Sequence, residues 1–262
     1  MSTPISEPPR LRPPEADSNK YSRGKVLVVA GEMAGAAHLA AIAAMRSGAG
    51  YVELAADAID QQPPLALVRR VWTPALLDDP RIGAVAIGPG LADDRAGRER
   101  VEAVMSTARP AVLDAGALAV LRRMGPRRLH DAPAPRVLTP HEGEFERLFG
   151  AIEGDREGAA RRAAERSGAI VLLKGNATVI AVPDGRCLVM PPASPWLASA
   201  GTGDVLTGVV ATMLAQADWH GFDTLEAVRA AAWLHARAAE LAGPALIADD
   251  LLWSLKRAVA KQ

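Results

Sequence analysis

With a single cysteine, Cys187, the chain excludes an intrachain disulfide framework and any thiolate-rich zinc site. An excess of one charge is missing as well. Across 262 residues, 30 Lys and Arg stand against 30 Asp and Glu, which argues against nucleic acid or an anionic membrane surface as the main partner. No apolar run approaches the roughly 18–20 residues that a membrane span requires. The opening stretch MSTPISEPPRLRPPEADSNK holds five prolines and no apolar core, so it lacks the centre of a signal peptide. It is expected to be a flexible, Pro-rich tail over residues 1–19. A hydrophobic content of 49% is ample for a buried core. The chain is therefore expected to be a reduced, soluble, cytoplasmic protein with one domain over residues 20–262.

Order begins at GKVLVVAG, where Val26 to Ala30 form an apolar run closed by Gly31, the pattern of a buried strand. GAAHLAAIAAMRSGAG follows, an alanine-rich helix with a glycine stop, and YVELAA predicts the next strand. The same grammar returns in IGAVAIGPG, DRAGRERVEAVMSTA and PAVLDAGAL, the last ending its strand at Asp114. PRVLTPHEGEFERLFG predicts a strand, a turn at Thr139–Pro140–His141 and a short helix. An amphipathic helix in REGAARRAAERSG then feeds the strand AIVLLKG, and ATVIAVPDGRCLVM predicts a hairpin turning at Pro183–Asp184–Gly185. From Val205 onward the pattern is helical, and Trp219, Trp233 and Trp253 there are expected to pack helices together. Alternating short apolar strands and helices give an α/β fold with a mostly parallel sheet covered on both faces.

The stretch SAGTGDVLTG sets three glycines around one aspartate ahead of an apolar helix. This puts the amides of residues 201–204 at a helix N-terminus, where outward N–H groups and the helix dipole favour an anion. Asp204 complicates that site, because a carboxylate repels a bound phosphate. Two roles remain open for it locally: a cap on the helix, or a base that takes a proton from a hydroxyl while the amides hold the phosphate. Lys174 and Gly175 follow an apolar strand, as a solvated strand end or, with Asn176 and Thr178, as the rim of a nucleotide site. His141 in LTPHEGEF sits at a strand end, where ligands of open α/β sheets gather. Glu142 and Glu144 favour the positive end of the following helix. His38, His130, His220 and His235 show no metal-ligand spacing and are expected to be structural.

Taken in order, GAAHLAAIAAMRSGAGYVELA, AIGPGL, VLDAGAL, LTPHEGEF, LLKGNATVIAVPDG and AGTGDVLTGVVATMLAQ resemble the ADP-dependent NAD(P)H-hydrate dehydratases, a family of the ribokinase-like superfamily. The resemblance implies a ribokinase-like fold. It also implies a repair reaction in which hydrated NADH or NADPH loses water at the expense of ADP, giving AMP and phosphate. By the family pattern Asp204 is the base, and Ala36, Gly90, His141 and Asp204 contact the hydrated dinucleotide. Lys174, Gly175, Asn176, Ala177 and Thr178, with Gly203, line the AMP moiety, while Gly201, Thr202 and Gly203 form the phosphate-binding turn. ADP is the expected co-substrate, with ATP an alternative donor and Mg²⁺ implied by phosphoryl chemistry. A homo-oligomer, commonly a tetramer, is part of the same resemblance. So is a separate epimerase, because the chain is filled by the dehydratase unit and is expected to act on the S epimer alone. Two stretches depart from the pattern: the short first loop AGEMAGAA, and SPWLAS, which sets Trp196 ahead of the glycine turn. The rival readings are a vitamin-precursor kinase of the same superfamily, told apart by a stable phosphorylated product, and a nucleotide-binding module without turnover.

Overall fold

The computed structural model describes residues 7–59 and 63–260. A nine-stranded sheet runs through the molecule in the order β3-β2-β1-β4-β5-β6-β7-β8-β9. Its strands are β1 (Lys25–Val29), β2 (Tyr51–Ala56), β3 (Val68–Val71), β4 (Ile82–Ile87), β5 (Ala111–Leu113), β6 (Arg136–Leu138), β7 (Ile170–Leu173), β8 (Val179–Ala181) and β9 (Cys187–Val189). All pairings from β3 to β7 are parallel, and β7–β8 and β8–β9 are antiparallel. The hairpin turns where expected, with Gly185 at φ +90° and its N–H donating to Val182 O at 3.0 Å.

The helices are α1 (Ala34–Arg46), α2 (Arg95–Ser106), α3 (Ala115–Met124), α4 (Glu142–Phe149), α5 (Arg156–Ser167), α6 (Thr202–Ala215), α7 (Ala217–His220), α8 (Thr224–Ala242) and α9 (Ala248–Ala260). One core lies between the sheet and α1, α6, α8 and α9; a second lies on the other face beneath α2, α3, α4 and α5. Burial on both faces explains why β1, with all five residues buried, is apolar without alternation from Val26 to Val29. Alanine in α1 serves close approach. Ala37, Ala40, Ala41, Ala43 and Ala44 are buried, and any side chain at Gly208 of α6 would strike the Ala40 carbonyl. Thr212 Oγ1 donates to Ala44 O at 3.2 Å. The two helices therefore keep one register along these contacts.

Three features differ from the sequence reading. The edge strand β3, VRRV, differs from it; its two arginines give no apolar run, and pairing with β2 makes it a strand. Helix α6 begins at Thr202 rather than Val205, because its first turn is polar and carries no hydrophobic period. Trp253 is 67% exposed with Arg46 over its ring, since the buried stripe of α9 runs through Leu251, Leu252, Leu255 and Ala258. Within the stretch read as a tail, residues 1–6 lie outside the described residues. From Glu7 the segment contacts the domain: Arg229 Nη1 donates to Glu7 O at 2.7 Å, and the Arg12 N–H donates to His220 Nδ1 at 3.1 Å.

Candidate active site

Strand order reverses direction between β1–β2 and β1–β4, and such a switch point opens a crevice at the carboxyl ends of the strands. The loops after β1 and β4 meet there, with the Met33 N–H donating to Gly90 O at 3.2 Å. Gly90 holds φ +70° against Met33, so a side chain there is both strained and crowded. Ala36 lies in the first turn of α1 beside this contact.

Beyond the crevice the chain builds a cavity of about 770 Å³. Lys174, Gly175, Asn176 and Thr178 form one wall; Thr202, Gly203 and Leu206 form another, and His141 and His235 also face it. Ala36, Gly90, Ala177 and Asp204 are not among its lining residues. The wall is stitched by backbone bonds: the Lys174 N–H donates to Pro140 O at 2.8 Å, and the Ala193 N–H to Asn176 O at 3.0 Å. Arg156 Nη2 donates to Lys174 O at 2.9 Å and fills the space next to Gly175.

Gly201, at φ +84°, is the N-cap of α6 and provides no side-chain cap. A Cβ there would press on Leu39 of α1 at 2.7 Å, so glycine is needed for both backbone and space. Asp204 is the third helical residue, not the cap. Among the described residues, no acceptor meets the N–H groups of Gly203 and Asp204. Two outward donors at the positive end of a helix form an anion site. Thr202 fixes the turn from inside, donating through Oγ1 to Leu197 O at 2.7 Å. His235, on α8, bonds the Thr202 carbonyl through Nε2 at 2.9 Å. Since a carbonyl only accepts, Nε2 carries the proton. Burial holds the ring neutral, with its pKa lowered to about 4.

The Asp204 carboxyl is shifted the other way, to about 6, by burial first, by the neighbouring Asp114 charge next, and by Glu144; Lys174 opposes the shift. Such a group is a carboxylate at neutral pH and still binds protons well, the property of a general base. Lys174 Nζ donates to Asp114 Oδ1 at 2.9 Å and lies 3.9 Å from Glu144. Burial alone would lower the Lys174 pKa; the Asp114 and Glu144 carboxylates more than offset it, so the ammonium is raised and stays charged.

His141 caps α4. Its Nδ1 accepts from the Gly143 N–H at 3.1 Å and the Glu144 N–H at 3.4 Å, and Glu144 returns a bond to the His141 N–H at 2.9 Å. This capping box assigns the proton to Nε2. Sequence reading named His141, Lys174 and the glycine turn. It gave no role to Asp114, Thr207 or the supporting bond of His235. Their partners are 60, 93 and 33 positions away, so only the apolar strand end at Asp114 carried any local signal.

A model of the NAD(P)H-hydrate dehydratase family matches residues 26–256. The chain is 37% identical to the ADP-dependent (S)-NAD(P)H-hydrate dehydratase of Bacillus subtilis, over 87% of this chain and 84% of that protein. It is 41% identical to the bifunctional NAD(P)H-hydrate repair enzyme of Gloeobacter violaceus, over 88% of this chain and 47% of that protein. The chain thus spans about half the length of that relative. Among solved structures, the Bacillus subtilis ADP/ATP-dependent NAD(P)H-hydrate dehydratase co-crystallised with ATP and Mg²⁺ superposes with a TM-score of 0.81 at 33% identity, over 98% of this chain and 94% of that one. A ribokinase-like superfamily protein of Enterococcus faecalis shares the fold with a TM-score of 0.82 at 23% identity, over 96% of this chain and 92% of that one.

Proposed function

The chain belongs to the NAD(P)H-hydrate dehydratase family, and on that premise we propose that it removes water from the 6S hydrate of NADH or NADPH, consuming ADP and releasing AMP and phosphate. The observation that carries this reading is the turn itself. Two unpartnered N–H groups and a base-strength carboxylate share the first turn of α6, beside a cavity with a lysine on its wall.

In this reading the nucleotide occupies the cavity between the 174–178 loop and the start of α6, its terminal phosphate on the amides of Gly203 and Asp204. The hydrated dinucleotide approaches from Ala36, Gly90 and His141. Asp204 takes the proton of the C6 hydroxyl as that oxygen attacks the terminal phosphorus, and AMP leaves with the bridging oxygen. Charge developing on the transferred group falls on the turn amides and the Lys174 ammonium, which are fixed in advance and need no reorganisation. The ring nitrogen lone pair then expels phosphate from C6, and loss of the C5 proton restores the dihydropyridine.

Among the described residues no group of three or more His, Cys, Asp or Glu can hold a metal ion. Mg²⁺ would accordingly travel on the nucleotide's own phosphates and waters, its usual mode in such sites, where it neutralises phosphate charge. A homo-oligomer, a tetramer by resemblance, belongs to the same proposal. The outer edge strand β3 ends at Val71, 52% exposed, and Leu65, 84% exposed, precedes it; such edges invite pairing. Among the described residues no helix is long and apolar enough to cross a membrane, which suits a cytoplasmic repair enzyme. Epimerisation of the R hydrate is assigned to a separate activity, so pure R hydrate should be consumed no faster than it epimerises unaided.

The test is recovery of dihydronicotinamide absorbance from hydrated NADH with Mg²⁺ and either ADP or ATP, beside Asp204→Asn of verified fold. Recovery with nucleotide, lost in the variant, is the expected result. A stable phosphorylated product, or nucleotide binding without turnover, would overturn the reading.

A further inference from the structure

Asp114 is 1% exposed at the end of β5, and both its carboxylate oxygens are occupied. Oδ1 accepts from Lys174 Nζ at 2.9 Å and Oδ2 from Thr207 Oγ1 at 2.7 Å. Its backbone is pinned too. The Asp114 N–H donates to Ile87 O at 3.1 Å, and Gly88, at φ +124°, lies so close that any side chain there would strike the Asp114 carbonyl. The chemistry proposed above makes no direct use of this acid.

Its location gives it one. A Cβ built on Gly203 would stand 3.4 Å from Lys174 Nζ and 3.8 Å from Asp114 Oδ2, so the ion pair lies against the turn whose amides are free. Lys174 also has a second acidic neighbour, Glu144 at 3.9 Å on α4. Without Asp114 the ammonium would be drawn to that helix end. Thr207, one turn along α6 from Gly203, ties the carboxylate to the very helix that begins with the turn. A buried ion pair is weak evidence for stability, because desolvation offsets much of the attraction. Its geometry here is better explained by placement of a charge.

We propose that Asp114 is a positioning residue for phosphoryl transfer, which holds the Lys174 ammonium against the Gly203–Asp204 amides where the transferred phosphate sits. The inference rests on the dehydratase reading for its substrate, but its geometry concerns any nucleotide phosphate in this turn. It has an electrostatic corollary. Asp204 is faced by Asp114, Glu144 and Lys174, two acids against one cation. Removing the Asp114 charge makes Asp204 easier to ionise.

The experiment compares Asp114→Asn, Lys174→Met, the double variant and Glu53→Gln. Glu53→Gln breaks the buried Lys25–Glu53 pair, 2.8 Å long, elsewhere in the sheet, and controls for general loosening. Readouts are ADP affinity by calorimetry, KM and kcat with hydrated NADH, the acid limb of kcat/KM, and the carboxyl ¹³C titration of Asp204. Loss of one charge-assisted contact predicts about tenfold weaker ADP binding in each single variant, with no further loss in the double. The acid limb and the Asp204 titration move to lower pH in Asp114→Asn and to higher pH in Lys174→Met. Glu53→Gln lowers Tm and leaves all of these unchanged.

Asp114→Asn behaving like Glu53→Gln, or additive losses in the double variant, would overturn the inference. Should Asp114→Asn fail to fold, Lys174→Met decides: unchanged ADP affinity would be fatal. If the wild-type protein does not turn over hydrated NADH, the dehydratase reading falls, while calorimetry and the ¹³C titration still decide the role of Asp114.

Discussion

The two flanks of Asp204 are built in opposite ways. On the flank proposed for the nucleotide, a loop, two helices and a short 3₁₀ turn at Pro195–Leu197 line a cavity of about 770 Å³, and its charged groups are held by named bonds. On the other flank, Ala36 in the first turn of α1 and Gly90 in the loop after β4 lie at the switch point of the sheet, and Met33 beside them is 70% exposed. The contrast follows from the chemistry proposed for each. Charge develops on a transferring phosphate within the reaction, so its donors must be placed beforehand. A dinucleotide is large and needs mainly to be held by its shape, which an open crevice bordered by a glycine loop and a helix start permits. Asp204 stands at the seam, following Gly203 in the first turn of α6.

The most severe break in this comparison is Asp204→Asn. Loss of a general base should reduce kcat about 10²- to 10⁴-fold, while calorimetry finds ADP binding retained, because the amides and cavity are untouched. The same variant should be more stable at alkaline pH. The carboxyl sits at about 6, above its ordinary 3.8, so the stability held by its neutral form is complete below about 3.8 and lost as pH rises through about 6. Allowing for its partial exposure, Asp204→Asn should gain roughly 1 kcal/mol at pH 8 in thermal or denaturant unfolding.

A pH series sharpens the point without mutation. The wild-type kcat/KM should fall about tenfold per unit below the Asp204 pKa, which lies near 6, and ADP affinity should not share that limb. Gly90→Ala tests the open flank alone. Forcing a side chain into the φ +70° conformation against Met33 should raise KM for the hydrated dinucleotide about tenfold, with ADP affinity unchanged. Equal loss on both sides would show that the flanks are one cooperative unit. The smallest effect is expected from Trp196→Ala. That ring is 48% exposed and is not among the residues lining the cavity, so ADP affinity should change by no more than about twofold.

Much of this design was legible locally. The buried strands β1 and β4 announce themselves as unbroken apolar runs, the hairpin by Pro183–Asp184–Gly185, and the anion site by the glycines around Asp204. Other parts were silent. VRRV does not look like a strand until β2 pairs with it. Trp253 reads as a packing residue until the stripe of α9 is known to leave it outside. His235 reads as a structural histidine, and only the fold shows which carbonyl it steadies.

By itself, then, the sequence determined what depends on neighbours along the chain: strand and helix periodicity, the backbone freedom of Gly201, and the free amides that any helix start exposes. The tertiary structure alone decided the proton affinity of Asp204 and the direction in which Lys174 is held. Both depend on Asp114, 60 positions before Lys174 and on a different strand. Burial and the distances between charges set such properties, and neither exists until the sheet has formed.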